Sequence, residues 1–147
     1  MDRHDAPSGR QAENDVAAPV RRLAVVVGEG ADGGSACRIE APGRLLRVRS
    51  LLHSTHEQID RAGLPPEGMP QLQRQLQAIR RELDDTVSPP LAAELRRILP
   101  PHDEAPSAGA LRIECTVLLS WADSLTMQML SALEAARKHQ ARPPAAA

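Results

Sequence analysis

Apolar residues recur at spacings of three and four over most of this chain, and that spacing predicts helices. Leu45, Val48, Leu52, Thr55 and Ile59 form one stripe and predict a first helix over roughly residues 43 to 61, after Pro42. Gly63, Pro65 and Pro66 end it. A second helix is expected from about Glu67, with Met69, Leu72, Leu76, Ile79 and Leu83 on its inward face. Ser88 suits an N-cap and Pro89 the first helical position, where its missing N–H is no loss. A short third helix over about 89 to 99 would then present Leu91, Leu95 and Ile98. Pro100 and Pro101 stop it.

Ser107 is expected to cap a fourth helix reaching about Gln140, roughly 50 Å long at the usual rise per residue. Leu111, Cys115, Leu118, Ala122, Leu125, Met129, Ala132 and Ala136 give its inward stripe. Ile113, Val117, Leu119, Trp121, Met127, Leu130 and Leu133 lie off that stripe. A helix apolar over most of its circumference is buried on several sides. Three shorter helices cannot cover it, so these seven residues are the candidate surface for other subunits or a client. The fold class expected is all-α: a four-helix bundle over residues 42–140 that assembles further.

Residues 1–41 read differently. Small and polar residues dominate and glycines cluster at 28, 30, 33 and 34, so this segment is expected to be a mostly disordered tail. Leu23 to Val27 is a β-prone island with no partner strand evident in the chain. Residues 141–147 read as a short flexible end.

Composition narrows the function. The net charge is −1, from 18 basic and 19 acidic residues, which argues against a nucleic-acid partner. Trp121 is the sole aromatic, so base-stacking platforms are excluded. No apolar run approaches the roughly 20 residues of a membrane span. Asp2, Arg3, His4 and Asp5 follow Met1, which does not read as a secretory leader. The two cysteines, Cys37 and Cys115, fit a reduced cytoplasmic setting.

Candidate chemistry is thin. Gly28 to Gly33 matches G-x-G-x-x-G, but no helix opens at its third glycine, so it reads as linker. His53, His56 and Glu57 share a helix face, but the other helices offer no evident inward His or Glu to complete a metal site. The adjacent acids Asp84 and Asp85 point in divergent directions on their helix, and Asp103 and Glu104 precede the fourth helix and suit its positive end. No catalytic residues, metal ligands or cofactor are expected, and the chain reads as a non-enzyme.

The helical segment resembles a known family, the bacterial proteasome activators. The likeness rests on Arg81-Glu82-Leu83-Asp84-Asp85, Pro90-Leu91, Glu94-Leu95, Leu99-Pro100, Pro106-Ser107, Leu111-Arg112-Ile113 and Trp121. It covers roughly residues 44 to 136. The resemblance implies a ring of four-helix-bundle subunits that caps the 20S proteasome without ATP. It implies the proteasome α-ring, unfolded protein clients and copies of the chain itself as partners. Family members dock through a C-terminal Gly-Gln-Tyr-Leu. This sequence closes on Ala145, Ala146 and Ala147, so no docking residue is carried over. The alternative reading is a diverged paralogue that keeps the bundle without opening the gate, as an adaptor or a mixed-ring subunit.

Overall fold

The computed structural model describes residues 24–29 and 36–144. The elements are β1 (Val25–Glu29), β2 (Ala36–Ile39), α1 (Pro42–Ala62), α2 (Met69–Thr86), α3 (Pro89–Ile98) and α4 (Ala108–Gln140). The all-α bundle expected from the spacing is present. A 3-10 turn at Pro66–Gly68 leads into α2, so the α-helical ladder starts two residues later than Glu67. α1 ends at Gly63, whose φ of 72° is left-handed and therefore costs glycine little, and whose N–H closes on the Ile59 carbonyl.

The core runs down the predicted stripes. Leu45, Leu52, Leu76, Leu83, Cys115, Leu118 and Ala122 are fully buried. α4 is the central element and touches α1, α2 and β1, whereas α3 lies against β2 and α2. The Ser107 hydroxyl accepts the Ala110 N–H at 3.1 Å, the N-cap expected of it.

Four expectations are corrected. First, the Leu23–Val27 island is not a lone strand. Val25–Glu29 pairs antiparallel with Ala36–Ile39, with Val25 opposite Ile39 and Val26 opposite Arg38. The register slips between Val26 and Gly28, which leaves Val27 as the extra residue of a bulge. Val25 and Ile39 join the core, so part of the segment ahead of Pro42 belongs to the folded body. Residues 1–23 and 30–35, also expected in the tail, lie outside the described residues, as do Ala145, Ala146 and Ala147.

Second, Ser88 sits at the N-cap of α3 but makes no side-chain cap bond. Its hydroxyl is 0% exposed and accepts the Arg38 N–H at 2.8 Å. Its own N–H donates to the Arg38 carbonyl, and Ile39 bridges Val87. The far edge of β2 is therefore closed by residues 87–88. The strand edge is a stronger demand on this serine than the helix start.

Third, Ile98 is exposed (48%), while the neighbouring Leu99 is half-buried against the core. Fourth, Ala136 is exposed and Ala132 half-buried, although both continue the inward stripe of α4. The reason is length: at 33 residues against 21 for α1, α4 is about 18 Å the longer helix and outruns its cover.

A candidate interaction surface on α4

Ile113, Val117 and Met127 lie within about 80° of one another around the helix, opposite the core stripe. Ile113 and Met127 are each 65% exposed and Val117 is half-buried. Leu130 and Leu133 are exposed beyond Met129, the last buried residue of α4. These five therefore present apolar surface to solvent.

Leu119 and Trp121 do not. Both are buried core residues, contrary to the surface expected from the sequence. The Trp121 indole N–H donates to Glu94 Oε1 of α3 at 3.3 Å, which satisfies its polar edge inside the fold. Glu94 was the signal for this, since a buried indole needs an acceptor.

Charged groups fix α4 to its neighbours. Asp123 accepts from Arg49 Nε at 2.5 Å and meets His53 Nε2 at 3.0 Å, both on α1. Partial burial pushes the Asp123 carboxyl up, but the hydrogen bonds and charges of Arg49 and His53 outweigh it and hold the group below its ordinary range.

Deeper in, Glu114 is a buried acid that the apolar spacing gave no sign of, and it contradicts the expectation that no inward Glu exists. His102 Nε2 lies 2.7 Å from its Oε2, and Arg80 Nε lies 2.7 Å from its Oε1. Arg80 Nη1 donates to the Leu99 carbonyl at 3.0 Å. The Arg80–Glu114 contact is an ion pair rather than an aligned hydrogen bond, because Nε is left without a partner of good geometry. Together these groups clamp the connection between α3 and α4 onto α2.

The His53, His56 and Glu57 set disperses: His53 meets Asp123, His56 meets Asp60, and Glu57 pairs with Arg61. Among the described residues no group of three His, Cys, Asp or Glu converges on a metal position. Burial pushes the Cys115 thiol up to about 11, so it serves as a small core residue. No helix of the described residues is long and apolar enough to cross a membrane.

The fold is that of a four-helix-bundle protein whose longest helix exposes apolar side chains. The chain belongs to the bacterial proteasome activator family, whose sequence model matches residues 27–143. It is 30% identical over 118 residues to a bacterial proteasome activator of Mycobacterium leprae, across 72% of this chain and 68% of that protein. It is also 30% identical over 97 residues to a bacterial proteasome activator of Mycolicibacterium smegmatis, across 65% of this chain and 55% of that protein. The matched region includes both strands of the hairpin except Val25 and Val26, and all four helices.

Proposed function

We propose that the chain is a non-catalytic, ATP-independent proteasome activator. It assembles into a ring, binds the α-ring of the 20S proteasome and admits unfolded proteins, in the cytoplasm. The family and the printed names of its relatives support proteasome binding. The observation that supports assembly or client contact is that Ile113, Met127, Leu130 and Leu133 are exposed on α4, with Val117 half-buried. Exposed apolar side chains are a liability for an isolated subunit and an asset at a contact between subunits or with a client. Two free cysteines accord with a reducing compartment.

The test is peptide hydrolysis by purified 20S proteasome, with and without the full-length chain and without ATP. Stimulation supports the reading, and native mass gives the assembly. The absence of both stimulation and binding to the cylinder overturns it. A second reading, an adaptor or mixed-ring subunit, is favoured by one observation: none of the 147 residues is a tyrosine, so these residues supply no tyrosine anchor. Binding without stimulation, reversed by a grafted Gly-Gln-Tyr-Leu end, selects it.

A further inference from the structure

Where α1 and α2 diverge at their connection, a cleft of about 290 Å³ opens. Its walls carry Gln58 on α1 and Gln71 on α2, both exposed, and Gln75 with Thr55 deeper in. Gln75 Nε2 donates to Thr55 Oγ1 at 2.9 Å, which holds that amide in place. Buried Ile59 and Leu72 supply apolar lining. None of the residues lining the cleft carries a charge.

We propose that this cleft holds an extended, uncharged stretch of another polypeptide. A side-chain amide carries the same donor and acceptor as a peptide group, so glutamines on facing walls can pair with passing backbone. Ile59 and Leu72 take one small apolar side chain, and the volume, near the low end for ligand sites, limits occupancy to a residue or two. The lining residues themselves offer a charged ligand no counter-charge, although the Arg112 guanidinium comes close to Gly63. Recognition of backbone over side chain suits an unfolded client. To that extent the inference rests on the proteasome reading, although the cleft can be tested apart from it.

The probe is an acetylated, amidated, dye-labelled octapeptide of alternating Val and Ser, read by fluorescence anisotropy on the full chain. Gln58→Ala with Gln71→Ala is expected to weaken binding about tenfold, the loss of two hydrogen bonds of ordinary net strength. Gly68→Leu is expected to block it, because a Cβ there points at Pro65 of the cleft, 3.7 Å from its ring, and φ is an ordinary −85°. A measurement needing no variant is backbone amide shift mapping on the unaltered chain, which should centre on Ile59 and Leu72. Unchanged affinity in both variants at full helix content overturns the proposal. So do shifts centred on Met127, or shifts that grow with protein concentration alone and mark a second copy as occupant. Peptide binding at the cleft with no action on the proteasome sustains this inference and removes the activator reading. Stimulation without peptide at the cleft does the reverse.

Discussion

The carboxylate of Glu114, 4% exposed, stands 2.7 Å from the Nε of Arg80, and that pair joins α4 to α2 across the interior. Removing one partner leaves the other charge inside a low-dielectric region without compensation. Glu114→Ala should therefore cost about 3 kcal/mol of stability, the usual scale for breaking a buried pair. Arg80→Met with Glu114→Leu should cost clearly less, since neither charge is stranded. Chemical denaturation of the three proteins at one fixed concentration checks this. Equal losses would show that the pair is not the source.

Asp123 gives a pH dependence. Its folded pKa lies below the ordinary carboxylate value, so the stability it adds is fully present above about pH 4 and is lost as pH falls through the lower folded value. The gap in midpoint between the unaltered chain and Asp123→Asn should close as pH falls from about 4 toward 2. Thermal scans across that range read it directly.

Thiol chemistry should separate the two cysteines. Cys115 is buried with its pKa pushed up to about 11, and Cys37 is half-buried. Only the thiolate reacts, so at pH 8 a disulfide reagent should titrate Cys37 first and Cys115 only on unfolding. Mass mapping of the labelled peptides decides between this order and equal rates.

Ser88→Ala should cost about 1–2 kcal/mol by stranding the Arg38 N–H, with little change at the start of α3. Hydrogen exchange should speed up at Arg38 and not at Leu91. Faster exchange at Leu91 alone would mean that the serine caps the helix in solution.

Met127→Glu together with Ile113→Glu places charge on residues that are each 65% exposed, so helix content should not change. If the chain assembles as proposed, native mass should shift from that assembly to the single chain. An unaltered multimer would move the subunit contact elsewhere on the molecule.

Most of the bundle was legible because helix packing writes its own period into the sequence. The stripes of α1 and α2 coincide with their buried residues apart from half-buried Met69 and the added Thr86. The hairpin was not legible. Ala36–Ile39 is too short for a pattern, and its partner edge is supplied by Val87 and Ser88, about 50 positions away. Glu114 was missed for a related reason. A buried acid looks like a surface acid until the fold brings its partners to it, Arg80 from α2 and His102 from the turn between α3 and α4. The surface set on α4 was read from angle alone, and angle cannot say that α3 would bring Glu94 to the indole of Trp121.

The closed edge of β2 decides where an autonomous fragment begins. Glu40 and Ala41 both donate to the Thr86 carbonyl, and Arg38 exchanges bonds with Ser88. A protein trimmed to start at Pro42 would leave the Ser88 hydroxyl and the Thr86 carbonyl unpaired, and it would bare Val87. The strands are thus a clasp across the root of α1 and α3. Because the clasp joins segments far apart in sequence, this bundle should fold more slowly than one whose helices meet only sequential neighbours.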